Sequence, residues 1–500
     1  MRTQGRLALV IVVTFAAAGC DRKLDVFSDT GIVDRGAIDL GRAESRTDAA
    51  RPDLDPSKPL KTEWIKVLGD STTATFFPDG IETDAEGNIY LEGWLAGRLQ
   101  VGSDVIGADN VDSQALIKLD SSGKPLWGRH VGPVDMRGPG TATWPPDNLG
   151  FALEPASGSS YLAGTFSGVT TAGSTTLTSA GGKDIFVAKL DKDGNWLWAT
   201  RAGGPEDEYV RDAAPGFIGP VVVGDFAGTA AFGQVQLTSS GGTDIFVAHL
   251  DKSGAWIRAL AAGSPQTALP GGMRSPETAL AIASRDGSRM IVSGNQLAGT
   301  WFGSDKLAAG RFLAEATIQG SPAPASWVWA GVTPGPWWDL IVDPSSATFY
   351  AAGSVWSPMP GRPMVGAFEA DGGKVVWGFN AASSSHDSEA IGLALDPAGG
   401  VYAGGYFKGT LELTGDGQHT LTSAGDVNNG FVLKLDGKGR LLWAKPITAA
   451  KGSYPVPLCT GPDRVLYVAG SFAGAQADLD GQVVTGQAAN VNAFVWKLAP

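Results

Sequence analysis

Short strands with alternating side chains recur along most of the chain, and each surrounds one glycine. Seven such segments, rich in β-branched and aromatic residues, have their central glycines at Gly93, Gly164, Gly224, Gly294, Gly353, Gly405 and Gly470. Segments of this kind, bounded by further glycines, predict strands, and a glycine inside a strand indicates a bulge or a close backbone approach. The intervals between these glycines run from 52 to 71 residues, so each strand belongs to a larger repeating unit.

Each repeating unit contains three further strands. A hairpin with Asp and Gly at its turn and Trp near its end follows the glycine strand, most clearly at 185–198 and 431–443. Another strand precedes the glycine strand, separated from it by turns such as 84–88 and 396–400. Because four-stranded units repeated around an axis leave only short sheet edges, the pattern predicts an all-β, seven-bladed β-propeller with antiparallel blades.

The two ends of the repeat region complement each other. The seventh hairpin stops after one arm, at 493–500, and the sequence 63–68 supplies a matching arm with Trp64. Pairing them would remove an open sheet edge from the last blade. We therefore expect residues 61–500 to form one propeller whose ring is closed by an N-terminal strand.

The N-terminal sequence predicts where in the cell the protein is located. Arg2 and Arg6 precede an apolar run, 7–18, that is too short to span a bilayer and is typical of a secretory signal. The sequence Ala17-Ala18-Gly19-Cys20 resembles the lipobox of bacterial lipoproteins, although that family usually has Leu where Ala17 stands. The resemblance implies a signal peptide at 1–19, lipid on Cys20 and membrane anchoring at the cell envelope. Which membrane and which face stay open.

Residues 20–60 differ from the rest, being rich in Asp and Arg and poor in aromatics, and we expect a disordered tether. With Cys20 lipidated, only Cys459 remains, which excludes a disulfide within the mature chain. We expect Cys459 to be a buried, poorly reactive thiol. The net charge of −13 opposes binding to phosphate backbones, so nucleic acid is not an expected partner.

The repeat itself resembles the bacterial seven-bladed β-propeller repeat family, often called SBBP repeats. Residues 467–470, 186–191 and 441–443 match its Tyr-Val-Ala-Gly, Phe-Val-Ala-Lys-Leu-Asp and Leu-Leu-Trp elements. The resemblance covers about residues 61–500 and is weakest over 258–377. It implies a propeller and a secreted or cell-surface address, and it implies no activity.

Acidic and aromatic residues in the loops between blades form a candidate ligand face. Loops carry both polarity and function, and in a propeller these loops share one side of the ring. The candidates are Asp70, Asp135, Glu206, Asp207, Glu208, Asp387 and Glu389, with Trp337 and Trp338 as aromatic contacts exposed in a loop. Solvated loop acids are the simpler interpretation of the carboxylates.

No catalytic, metal or cofactor motif stands out. The four histidines are scattered, and Asp191-Lys-Asp193-Gly-Asn195 has the spacing of a hairpin turn rather than of a calcium loop. We therefore expect a non-enzymatic binding or scaffold lipoprotein with an unknown protein or glycan partner. One alternative is an extracellular polysaccharide-active enzyme that uses loop carboxylates. Another follows from a resemblance of 123–127 and 371–377 to the tryptophan-docking repeats of quinoprotein dehydrogenases and their relatives: a propeller scaffold in outer-membrane assembly.

Overall fold

The computed structural model describes residues 27–28, 31–32, 57–68, 74–135, 149–265, 277–296, 299–318, 325–355, 360–414, 418–488 and 491–500. Two compact units are present, Met1–Asp55 and Pro56–Pro500. In the first, Phe27–Ser28 pairs antiparallel with Gly31–Ile32. The expected signal peptide and Cys20 lie outside the described residues, as does most of the expected tether.

The second unit consists of seven antiparallel sheets of four strands, which we number as blades one to seven. The strands of blades one to four, each from the axis outward, are Thr75–Thr83, Ile89–Ala96, Asp112–Leu119 and Pro125–Gly132; Leu149–Glu154, Ser159–Ala172, Thr175–Leu190 and Trp196–Ala202; Glu208–Pro215, Pro220–Phe232, Val235–Leu250 and Trp256–Ala262; Thr278–Ser284, Arg289–Gln296, Gly310–Thr317 and Ser326–Thr333. Those of blades five to seven are Trp337–Val342, Thr348–Val355, Arg362–Glu369 and Val375–Asn380; Glu389–Leu395, Val401–Phe407, Asn429–Leu435 and Leu441–Thr448; Ser453–Thr460, Leu466–Ala473, Val491–Ala499 and Lys61–Leu68.

Short additional strands extend the connection between the second and third strands of several blades. They are Leu99–Val101 with Asp104–Ile106, Thr300–Phe302 with Asp305–Leu307, Thr410–Thr414 with Gln418–Thr422, and Gln476–Leu479 with Gln482–Thr485. Ser383–Ser384, in the loop between blades five and six, pairs with Thr410–Thr414. The helical content of the described residues is one 3₁₀ turn, Pro462–Arg464. No helix in that part of the chain has the length and apolar character needed to span a membrane.

The first strands contact one another in a closed cycle, and that of blade seven, Ser453–Thr460, contacts that of blade one, Thr75–Thr83. Seven clusters of buried apolar side chains accompany the cycle, one at each junction between neighbouring blades. The core is therefore distributed between blades rather than within one centre. The prediction of an all-β, seven-bladed propeller is confirmed.

Ring closure is made by the strand Lys61–Leu68, which pairs antiparallel with Val491–Ala499 from Lys61↔Ala499 to Leu68↔Ala493. The Trp496 indole N–H also donates to Thr62 Oγ1 over 3.0 Å. The expected closing strand is thus present. Leu60, assigned to the tether from sequence, is buried against the core of blades six and seven, because an apolar residue at the start of this strand packs beside Trp443.

The repeated glycine is explained by the first strand of each blade, which carries a bulge opposite this residue in six of the seven blades. A Cβ on Gly224 would lie 1.9 Å from the Tyr209 carbonyl oxygen, and one on Gly353 would lie 1.9 Å from the Pro336 carbonyl oxygen. No side chain fits there. Both features expected from the sequence, a bulge and a close approach, occur together.

Tryptophans of the outer strands join neighbouring blades. The rings of Trp127, Trp198, Trp329, Trp377 and Trp64 lie against the turn glycines Gly194, Gly254, Gly373, Gly439 and Gly123 of the following blade. In four of these pairs the indole N–H also donates to a turn carbonyl, at 2.9 to 3.3 Å. The aromatic residue that ends each hairpin is therefore an inter-blade contact, as well as part of the core.

Candidate functional site

The acids of the blade-connecting loops mostly hold the loops in place. The Asp207 carboxylate accepts hydrogen bonds from the Lys183 backbone N–H at 3.0 Å and from the Tyr209 hydroxyl at 3.1 Å. Asp387 Oδ1 accepts one from the Gly361 N–H at 2.8 Å. Asp135 lies 3.9 Å from the Lys183 ammonium. These side chains therefore tie each loop to a neighbouring strand, while Glu206 is exposed beside them.

Four of the expected loop residues lie instead at the starts of first strands. Glu208 is fully buried, Glu389 is buried, and Trp337 is only 2% exposed, in the core between blades four and five against Phe368. Trp338 is half-buried at the bulge of the same strand. The expectation of an exposed aromatic pair in a loop is wrong for Trp337, because the strand begins there and the blade junction covers it.

The candidate residues are distributed over four blade junctions. Asp135 follows blade one, Glu206–Glu208 follow blade two, Trp337 and Trp338 follow blade four, and Asp387 and Glu389 follow blade five. Asp70 lies outside the described residues. Across junctions, the structure brings Asp135 and Asp207 to the same residue, Lys183.

One loop acid has a close carboxylate partner that the sequence did not suggest. A Cβ on Gly203 would lie 2.6 Å from Glu208 Oε2 and 2.7 Å from Asp184 Oδ2, so these two oxygens are about 5 Å apart or less. Asp184 also pairs with Arg201 at 2.5 Å, and Glu208 Oε2 accepts the Gly204 N–H at 2.8 Å. Burial raises the pKa of Glu208 to about 8, and the Asp184 charge adds to that shift. Near neutral pH Glu208 is therefore mostly protonated.

An equivalent arrangement recurs at the next junction. Asp244, which occupies the position of Asp184, accepts the Ser240 N–H at 2.8 Å. Glu277 accepts the Ser264 N–H at 3.0 Å and the Thr300 hydroxyl at 2.5 Å. Burial raises the pKa of Asp244 to about 6, with a further contribution from Glu277. Because all four acids of the two junctions are almost completely buried, the arrangement suits structure better than access to a substrate.

A second group of acids surrounds the propeller axis and was missed in the sequence. Asp212 Oδ2 accepts the Ile282 N–H of the next blade at 2.9 Å, and Asp339 Oδ2 accepts the Leu393 N–H of the next blade at 2.7 Å. Both aspartates follow a bulge in their first strands. They bind backbone donors on inner strands whose axial edge has no strand partner among the described residues.

Blade one adds two glutamates to the same region. Glu92 accepts a hydrogen bond from the Gln114 amide at 2.7 Å, and burial with the charges of Asp79 and Asp212 raises its pKa. Glu82 is reached by solvent although protein surrounds it, and this environment together with Asp339 raises its pKa to about 7. The pKa values of Glu82 and Asp339, both about 7, leave a share of these carboxyls protonated near neutral pH, and a nearby cationic group would favour their charged forms.

The turns at the opposite side of the ring have a simpler role. Asp191 Oδ1 accepts the backbone N–H groups of Asp193 and Asn195, each at 2.9 Å, and Asp120, Asp251 and Asp436 repeat this pattern. The carboxylate thus closes the hairpin turn, as the sequence suggested. Within the described ranges, no group of three or more His, Cys, Asp or Glu side chains is arranged to hold a metal ion.

These groups could be predicted only in part. The loop acids stand out in the sequence because charged residues follow each Trp strand. Asp184 and Asp244 occur in matching positions of two near-identical repeats, which is a signal that alignment of the repeats could have used. Asp212 and Asp339 are visible only once the bulges set the register of their strands.

Comparison with known proteins gives no assignment. No protein-family model matches the chain, and no curated protein matches it. Among solved structures, hydrazine synthase of Kuenenia stuttgartiensis is 13% identical over 82% of this chain and 95% of its own, with a TM-score of 0.41. The β-propeller domain of the trilobed protease from Pyrococcus furiosus is 9% identical over 82% and 97%, with a TM-score of 0.39. Quinohemoprotein alcohol dehydrogenase from Comamonas testosteroni is 10% identical over 88% and 76%, with a TM-score of 0.36.

Proposed function

We propose that this chain is a cell-envelope lipoprotein whose propeller acts as a non-enzymatic binding or scaffold module. The observation that carries this proposal is the set of backbone hydrogen bonds that half-buried acids accept. Asp212, Asp339 and Asp207 accept backbone N–H groups from neighbouring strands and loops, so they hold blades and loops in fixed positions. A ring stiffened in this way presents rigid loops, and preorganised surfaces bind at lower entropic cost.

The face formed by the blade-connecting loops is the proposed contact region. It contains the exposed Glu206 together with the half-buried Asp135 and Asp207, which both contact Lys183. A ligand suited to this region carries positive charge, either a basic protein segment or an amino-bearing glycan.

Binding can be tested with the full chain immobilised and exposed to a panel of defined envelope glycans and basic peptides. We expect binding to at least one cationic member, weakened by Glu206→Gln, alone or combined with Asp135→Asn. The matched control is Asp193→Asn, which removes an exposed carboxylate from the opposite side of the ring. Binding that the control reduces as much as the test variants do would contradict the proposed face.

The proposed location at the cell envelope rests on the signal-like N-terminus and the sequence before Cys20. Mass spectrometry of the native protein should find acyl mass on Cys20 as the first residue. Cys20→Ser should abolish that mass and release the protein from membranes. An unmodified peptide that spans Gly19 and Cys20 in the mature protein would contradict anchoring.

The polysaccharide-active alternative has one specific observation in its favour. The spacing of Asp184 and Glu208, about 5 Å or less, and the neutral state of Glu208 resemble the acid and nucleophile of retaining glycosidases. Both side chains have zero exposure, however, so a sugar ring cannot reach them without opening the junction. Hydrolysis of a defined polysaccharide by the full chain, lost in Glu208→Gln, would replace the binding proposal.

A further inference from the structure

The outermost strand of each blade is a sheet edge, and most of these edges carry charge. A charged side chain on an edge discourages pairing with a strand of another molecule. The outer strands of blades one, two, three, six and seven contain, respectively, Arg129, Arg201, Arg258, Lys445 and Lys66.

Blades four and five lack this protection. Their outer strands, Ser326–Thr333 and Val375–Asn380, contain no charged residue. Instead they expose four valines, namely Val328 (51%), Val332 (50%), Val375 (60%) and Val376 (53%). We call these four residues the valine strip.

The backbone along the valine strip is also open. A Cβ added to Gly331 or to Gly378 would meet no atom within 4 Å, so another backbone could approach closely at both places. The Trp329 ring lies against Gly373, two residues before Val375, which makes the two edges neighbours. The strip therefore extends from one blade to the next.

Other outer edges are covered by the hairpin of the following blade. Val131 and Gly132 of blade one pair with Ala172 and Thr171 of blade two, and the outer edge of blade six pairs with the blade-seven hairpin in the same way. Blade five differs, because its second and third strands pair directly up to Val355↔Arg362 and are joined by residues 356–361 only. Among the described residues, no strand pairs with the outer side of Ser326–Thr333.

We propose that the valine strip is a self-association surface at which a second copy of this chain pairs edge to edge. The strip suits this occupant because its strands carry no charged side chain: two copies, each with a net charge of −13, meet there without placing like charges against each other. An antiparallel edge is also self-complementary across a twofold axis, since each copy offers the same donors, acceptors and valines to the other.

The test measures the assembly state of the full chain in a mild non-ionic detergent by sedimentation velocity at increasing concentration. We expect a reversible dimer. Val328→Lys combined with Val332→Lys should weaken it by at least about tenfold in Kd, because like charges then face each other across the axis. Both valines are half exposed, so the fold should tolerate the change, and the melting temperature verifies this.

A matched control uses Leu126→Lys combined with Leu197→Lys. These leucines are 45% and 52% exposed on the outer strands of blades one and two, where Arg129 and Arg201 already protect the edge. The control should dimerise like the unchanged chain. A monomer at all concentrations would overturn the proposal, as would a dimer that both pairs of lysines weaken equally or that neither weakens.

Discussion

Blade one and blade four have an ion pair at the same two positions, one on the third strand and one after the first strand. The acid and the base are exchanged between the two blades. In blade one, Lys118 of the third strand lies 3.2 Å from Asp84, which follows the first strand. In blade four the equivalent positions hold Glu315 and Arg285, 2.9 Å apart. Blade six repeats the arrangement of blade one with Lys434 and Asp396 at 2.5 Å.

The exchange of acid and base between blades shows that the repeat preserves the pairing of opposite charges and not the residue at each position. Lys118 and Glu315 are both almost completely buried, and a buried charge without a partner costs several kcal/mol. A change of sign on one strand is therefore tolerated only with the opposite change on the other. Blade three uses a third solution, the fully buried His249, whose pKa burial lowers to about 4, so that it carries no charge at neutral pH.

The largest predicted effect concerns the ring that both kinds of blade share. Removing residues 1–68 deletes the strand Lys61–Leu68 and uncovers the edge of Val491–Ala499. Because domains are stable by only about 5 to 15 kcal/mol, we expect a chain beginning at residue 69 to melt at least 10 °C lower, or to aggregate. A chain beginning at Pro56 is the control and should melt like the full chain. Equal melting of both shortened chains would contradict closure by this strand.

The charge exchange itself can be tested by a double-mutant cycle. Glu315→Lys places a cation beside Arg285 and should lower the free energy of unfolding by about 3 to 5 kcal/mol. Adding Arg285→Asp recreates the sense of blade one and should restore part of the loss. Restoration is incomplete because Asp371, which lies 2.7 Å from Arg285 Nη1, would then face a like charge.

Denaturant unfolding of the unchanged chain, both single variants and the double variant gives the coupling energy. We expect a favourable coupling of at least 1 kcal/mol. Strictly additive effects would show that the two positions do not act as a pair.

A smaller predicted effect is the pH dependence of stability, which should come from the acid pairs of blades two to four and not from these ion pairs. The pKa of Glu208 rises from 4.5 to about 8 on folding, so the folded state retains a proton that the unfolded chain releases. This stabilisation is complete below pH 4.5 and is lost as the pH rises towards 8. The melting temperature should therefore fall between pH 5 and pH 8.5, and Glu208→Gln should reduce that fall.

Glu315→Gln serves as the control for this pH experiment, because Glu315 is paired with Arg285 and not with another acid. It should lower the melting temperature by similar amounts at both pH values. A Glu208→Gln variant whose melting temperature depends on pH as strongly as that of the unchanged chain would contradict the retention of a proton by Glu208 on folding.

The smallest predicted effect distinguishes two tryptophans in equivalent positions. The Trp127 indole N–H donates to the Lys192 carbonyl at 3.2 Å, whereas Trp443 Nε1 is buried without a partner. The difference arises because Trp443 faces blade seven, whose outer two strands come from opposite ends of the chain and share no turn. Trp127→Phe should cost about 1 kcal/mol more than Trp443→Phe in urea unfolding. Equal costs would remove the role assigned to this hydrogen bond.

The sequence predicted the features that every repeat shares. The glycine strands, the turns, the blade number and the closing strand could be inferred because alternation and spacing recur seven times. The reversed pair of Arg285 and Glu315 could not be inferred, because it lies in the most divergent repeats and depends on two residues far apart in the chain. The burial of Trp337 was missed for a similar reason, since a strand start and a loop end look alike next to Pro336.

Closure by the two ends of the chain also determines the order in which this protein can fold. Thr62 and Trp496, which bond across the last blade, are 434 positions apart. At about 5 to 20 residues per second, roughly 20 to 90 seconds pass during synthesis before the first-made strand meets its partner. Until then, Lys61–Leu68 is a strand without its sheet partner. A cell that makes this protein therefore needs a holding step, such as a chaperone or delayed export, that keeps the unfinished ring from pairing with other chains.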